Sequence, residues 1–162
     1  MIRRILAALL LTLVGTTAGA QAPARDQPQL QTREEIASIA GGRTGVDDLL
    51  ILAVDHWFRG NGQSRTLGVL TSQFPGQLAH PTIRFVQLDD AALKAHVDAC
   101  GVYLWVLANR IGQRQVRMTV GESGPCSTSS RDFQFTDGPN GWELTRSGAG
   151  GNSGSGTACS CP

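Results

Sequence analysis

Apolar residues recur at three- and four-residue spacing between positions 46 and 58, whereas from residue 102 onward they alternate, and no all-helical or all-strand fold satisfies both periods. Val46, Leu49, Leu50, Ala53, Val54, Trp57 and Phe58 make one broad helical stripe. Thr44 is placed to cap its start, Asp47 and Asp48 sit where the helix dipole favours negative charge, and Gly60-Asn61-Gly62 ends it. Late in the chain, residues 102–107 are almost continuously apolar and residues 113–120 alternate through Val116, Met118 and Val120. Residues 131–135 present Phe133 and Phe135 on one face, and residues 142–145 complete the set. Asp137-Gly138-Pro139-Asn140-Gly141 supplies the hairpin chemistry between the last two. The pattern predicts an α+β fold in which one long amphipathic helix packs on an antiparallel β-meander.

Between these regions lie two short strand segments, 66–71 and 82–88, and a brief helix over 91–97 capped by Asp89 or Asp90. In the second segment Ile83, Phe85 and Gln87 face one way, Arg84, Val86 and Leu88 the other. Gly121-Glu122-Ser123-Gly124-Pro125 reads as turn material.

The ends of the chain have a different texture. Arg3 and Arg4, the apolar run 5–14 and Ala18-Gly19-Ala20 have the three-part layout of a secretory signal peptide over 1–20, cut after Ala20. The apolar run is ten residues long, against the ~20 that a membrane-spanning helix requires, so no stable span is expected after cleavage. Residues 21–42 are read as a mobile N-terminal segment carrying at most a short helix over 33–40, and 43–146 as the folded domain. Residues 147–162 are a Gly/Ser-rich tail with linker composition that ends in Cys-Ser-Cys. The implied address is exported, periplasmic or secreted.

Charge argues against one class of partner. Without Arg3 and Arg4, twelve basic residues face thirteen acidic ones; Lys94 is the only lysine, and no three basic residues are consecutive. Nothing there tracks a phosphate backbone, so no nucleic acid is expected.

The chain has four cysteines, Cys100, Cys126, Cys159 and Cys161, and in an exported protein an even number points to disulfides. A Cys159–Cys161 bridge would close a small, strained ring around Ser160. That leaves two pairings open, each tying the tail to the body: Cys100–Cys159 with Cys126–Cys161, or Cys100–Cys161 with Cys126–Cys159. The competing chemistry is a thiol redox couple or a soft-metal (copper) site on Cys159 and Cys161, without a second cysteine pair at two-residue spacing or a nearby histidine.

Catalytic signals are weak. His56 follows Asp55 on the strong helix, but adjacent helical positions point in different directions; His80 precedes Pro81 in a loop, and His96 sits where a cation complements a helix C-terminus. No Gly-x-Ser-x-Gly elbow occurs, and the adjacent carboxylates Asp89 and Asp90 suit capping better than paired acid/base work. No catalytic residue and no cofactor is assigned.

Gly124-Pro125-Cys126, then Phe133-x-Phe135, then Gly141-Trp142-x-Leu144, resembles the C-terminal hairpin of small exported bacterial proteins of unknown function with cystatin-like and NTF2-like architecture. The match spans about twenty residues; Ser127 stands where that pattern has glycine, and the Cys-Ser-Cys tail is not part of it. The resemblance implies a long helix wrapped by an antiparallel sheet and carries over no active site; read from the residues themselves, Trp142 and Phe135 are expected to pair across the hairpin. The function expected is a non-enzymatic domain binding a small ligand or a partner protein between helix and sheet; a periplasmic inhibitor or immunity-type protein acting through a loop such as 73–81 or 127–130 is a further reading. Thiol or copper handling and an NTF2-like enzyme are the alternatives.

Overall fold

The computed structural model describes residues 29–154 apart from 43–44, 60–63, 75 and 77. The signal segment, Thr44, the Gly60-Asn61-Gly62 stop, Cys159 and Cys161 lie outside these residues.

Three helices and six strands follow in the order α1 (Arg33–Ile39), α2 (Val46–Phe58), β1 (Arg65–Leu70), β2 (Ile83–Leu88), α3 (Asp90–Asp98), β3 (Tyr103–Gly112), β4 (Gln115–Ser123), β5 (Ser127–Gly138) and β6 (Gly141–Gly154). The strands form one sheet in the order β2-β1-β3-β4-β5-β6. β3 to β6 are an antiparallel meander, but β1 runs parallel to both β2 and β3. This corrects the expected architecture: the protein is α+β, yet it is a mixed six-stranded sheet with three short helices, not a single long helix on an antiparallel meander. The physical reason is the length of the connections. β2 returns to β3 through α3, long enough for the crossover that parallel strands need. β1 shows the matching burial, with Leu67, Gly68, Val69 and Leu70 all buried because both its faces are covered.

α2 spans the residues its periodicity predicts and buries Val46, Leu49, Leu50, Ala53, Val54 and Phe58. Its N-cap is Gly45 at φ 105°, a left-handed conformation that glycine adopts without a Cβ penalty. α1 begins with a capping box in which Thr32 N–H donates to Glu35 Oε2 (2.7 Å) and Glu35 N–H to Thr32 Oγ1 (3.3 Å). Arg33 holds Asp47 through two bonds of 2.7 and 2.9 Å, tying α1 to α2. The guanidinium donates to the Asp47 carboxylate and so lowers its pKa. Ile36 is fully buried, so this N-terminal stretch is part of the core.

α1 and α2 pack over β3 and β4. They seal Leu104, Val106, Ala108, Val116, Met118, Val120, Phe133 and Phe135 into one apolar cluster. α3 lies against β1 and β2. Asp89 Oδ1 caps it, accepting from Ala92 N–H at 2.6 Å. The β5–β6 turn is the tight hairpin its sequence predicts, with Gly138 opposite Gly141 and Gly141 at φ 105°. Leu144, not Trp142, faces Phe135, because the register shifts between Gln134 and Phe135.

Two features depart from composition. β6 continues through Ser147-Gly148-Ala149-Gly150-Gly151, a stretch with linker composition, because the backbone alone pairs with β5 as far as Ser127↔Gly154. Where β1 leaves the sheet, two side-chain amides continue its role. Gln73 accepts from Val106 N–H (3.1 Å) and donates to Val106 O (2.8 Å), while Gln31 accepts from Ala108 N–H (2.6 Å) and donates to Ala108 O (3.1 Å). Gln73 is completely buried, so this part of the 73–81 loop is structural.

Candidate functional site

Alternation along β4 puts Val116, Met118 and Val120 on the helix-facing side, and the next position in that series is Glu122. A carboxylate therefore occupies a core position, 6 % exposed. Its Oε1 accepts two short bonds, from the Trp57 indole N–H of α2 and from Arg65 Nη2 at the start of β1, each 2.6 Å. The Arg65 guanidinium also lies over the Phe58 ring, 5.6 Å from its centroid. Arg65 Nε is buried and has no hydrogen-bond partner among the described residues.

Beside this triad is a cavity of about 340 Å³ lined by Arg65, Thr66, Leu67, Val102, Glu122, Ser127 and Ser129. It sits where the first residues of β1, the lead into β3, the end of β4 and the start of β5 converge. The lining combines one cation, one anion, three hydroxyls and two aliphatic walls. No hydrogen bond among the described residues joins Ser127 or Ser129 to Glu122, so neither hydroxyl is set up as a nucleophile with an attached base.

The residues singled out from sequence are dispersed. His56 stands between Phe133 and Phe135, both ring centroids 6.1 Å away, and its burial there lowers the imidazole pKa, with Arg59 adding to the effect. His80 packs on Phe58 at 5.1 Å and contacts Thr82, and His96 meets Val102 O at 3.1 Å. None of the three lines the cavity.

Cys100 and Cys126 flank it, being two residues before Val102 and one before Ser127. Cys100 occupies the left-handed position after α3, φ 64°, in a Schellman arrangement with Cys100 N–H on Val97 O (3.0 Å) and Gly101 N–H on His96 O (2.8 Å). No group of three metal-ligating side chains occurs among the described residues. No described helix is long and apolar enough to cross a membrane.

Sequence reasoning missed the Glu122 site because Gly-Glu-Ser-Gly-Pro has the composition of a turn. The signal that finds it is the period: extending the β4 alternation by one step places an acid on the buried face. No family model, curated protein or solved structure matches the chain.

Proposed function

We propose that this is an exported, non-enzymatic binding domain that takes a small, uncharged, hydroxyl-bearing molecule into the Arg65–Glu122 cavity. The observation that carries this reading is Glu122: burying a carboxylate is costly, and replacing the Arg65–Glu122 pair as a whole by apolar residues of similar size serves stability about as well. Its retention beside an open cavity favours a role in recognition. Because the Arg65–Glu122 pair is internally neutral, an ion of either sign has to compete with one member of the pair. An uncharged ligand instead finds acceptors and donors in place, supplemented by the hydroxyls of Thr66, Ser127 and Ser129. The cavity lies at the small end of the range for ligand sites, roughly 300 to 1,000 Å³, which suits a molecule of monosaccharide size. The three histidines are engaged with aromatic rings or backbone elsewhere, which supports binding over acid/base catalysis. Export rests on the three-part N-terminal segment.

The test is titration calorimetry of the full chain with hexoses, polyols and, as charged controls, a dicarboxylate and a diamine. A hexose or polyol is expected to bind saturably and to lose about tenfold in affinity in Ser129→Ala, the equivalent of one hydrogen bond. Tighter binding of either charged control, or an affinity unchanged in Ser127→Ala and Ser129→Ala, refutes it.

A further inference from the structure

Strand register carries the polar lining of the cavity across the sheet to its far edge. The pairs Glu122↔Ser129 and Ser129↔Asn152 form one cross-strand row over β4, β5 and β6. β5 pairs with β4 without a register shift, and Phe133 and Phe135 are core residues, so Ser129, at the same alternation, lies on the helix-facing side with its row. Exposure rises along the row: Glu122 is buried, Ser129 half-buried and Asn152 exposed. A cleft closed at β4 thus opens toward β6, two strand spacings or about 10 Å away.

The neighbouring rows leave this path clear. Ser127 is paired with Gly154 and Arg131 with Gly150, so glycines stand on both sides of Asn152 along β6. Glycine weakens a strand, and inside one it marks a place where a ligand or another backbone comes close. A Cβ on Gly150 would lie 3.8 Å from Arg131 Nε, which sets that guanidinium beside the bare β6 backbone, where it bounds the path. Arg131 is exposed and makes no ion pair among the described residues, so its N–H donors are open to a ligand.

We infer that the Arg65–Glu122 cavity is the closed end of a trough running over Ser129 to Asn152, and that its ligand is a neutral oligosaccharide with one ring in the cavity and the next over β5 and β6. The outer half of the path is lined by hydroxyl, amide and guanidinium groups, which suit a polyhydroxylated unit. The Asn152 amide supplies an acceptor and two donors, and Arg131 supplies donors only. Asn152 is therefore the residue that sets the preference for two rings over one. This inference rests on the ligand reading above and adds a second subsite that the reading itself does not require.

Calorimetry of the full chain compares glucose with maltose and cellobiose, galactose with lactose, and mannose with 1,4-linked mannobiose. For the sugar that binds, the disaccharide is expected to bind about tenfold more tightly than the single ring, the equivalent of one added hydrogen bond. Asn152→Ala should erase that gain and leave the monosaccharide affinity unchanged, whereas Ser129→Ala should weaken both. Hydrogen exchange over residues 148–152 should slow with the disaccharide and not with the monosaccharide. Equal affinity for one ring and two, a gain that survives in Asn152→Ala, or an equal loss for both sugars in that variant overturns the trough and leaves the cavity reading standing. Absence of binding by every sugar overturns both.

Discussion

Replacing Glu122 by leucine removes the shared acceptor of two donors, and the cost follows from how far each can recover water. Trp57 Nε1 and Arg65 Nη2 both end on Glu122 Oε1 at 2.6 Å. The indole is half-buried, and leaving such a donor unpaired costs about 1 to 2 kcal/mol. The Arg65 side chain is 30 % exposed, so the guanidinium rehydrates in part, and its share is about 1 to 2 kcal/mol instead of the 3 to 5 of a fully buried broken pair. Glu122→Leu is therefore expected to destabilise by about 3 kcal/mol, read by urea denaturation with the slope m unchanged. Arg65→Met added to it removes the unpaired cation as well, and the double variant is expected to recover to a loss of about 1 kcal/mol, the residue of the unpaired indole. The reasoning is refuted if Glu122→Leu costs under about 0.5 kcal/mol, or if the double variant is as unstable as the two single losses added together.

Two further perturbations test the packing around the site. His56 is held neutral by burial between Phe133 and Phe135, so the unfolded chain binds more protons than the folded one. Stability should be complete above the unfolded value near 6.5 and fall as pH drops through it toward the depressed folded value; thermal melts between about pH 7 and pH 5 should show a smaller decline in His56→Gln, and parallel curves would exclude this. Tyr103, the only tyrosine, has a buried hydroxyl with no hydrogen bond of good geometry among the described residues, and burial raises its pKa above the usual 10.0 against a weaker opposing effect of the neighbouring Ser123 hydroxyl. Its absorbance titration should lie above that of free tyrosine, and Tyr103→Phe should leave stability unchanged or raise it by up to about 1 kcal/mol, whereas a loss of that size would reveal a hydrogen bond.

Local elements were legible where a residue reports on its own neighbourhood. The α2 stripe, the Asp89 cap and the Gly141 turn depend on spacing and φ preferences within a few residues, and each stands where those predict. Strand order was not legible, because no side chain in β2 records that β1 separates it from β3; the only trace was the unbroken burial of Leu67 to Leu70. β6 beyond Arg146 was illegible for the opposite reason. Glycine and serine carry no periodicity, and the pairing that holds them uses backbone groups that every sequence has. Glu122 lay between these cases, betrayed by period and hidden by composition, while its partners Arg65 and Trp57 are more than fifty residues away in sequence.

The corrected topology accounts for where the cavity is. β1 joins β3 through only two register pairs, Gly68↔Tyr103 and Val69↔Leu104, with Gly68 N–H on Val102 O at 2.8 Å, and the two strands part on either side of that short contact. On the downstream side the seam is closed, since Gln73 and Gln31 supply the donors and acceptors that β3 would otherwise lack. On the upstream side no such surrogate is present among the described residues, and the space between Arg65-Thr66-Leu67 and Val102 is the cavity. A purely antiparallel meander has no such seam. The parallel insertion of β1 is thus what creates the site, and the Arg65–Glu122 pair occupies the seam where the backbone ladder ends.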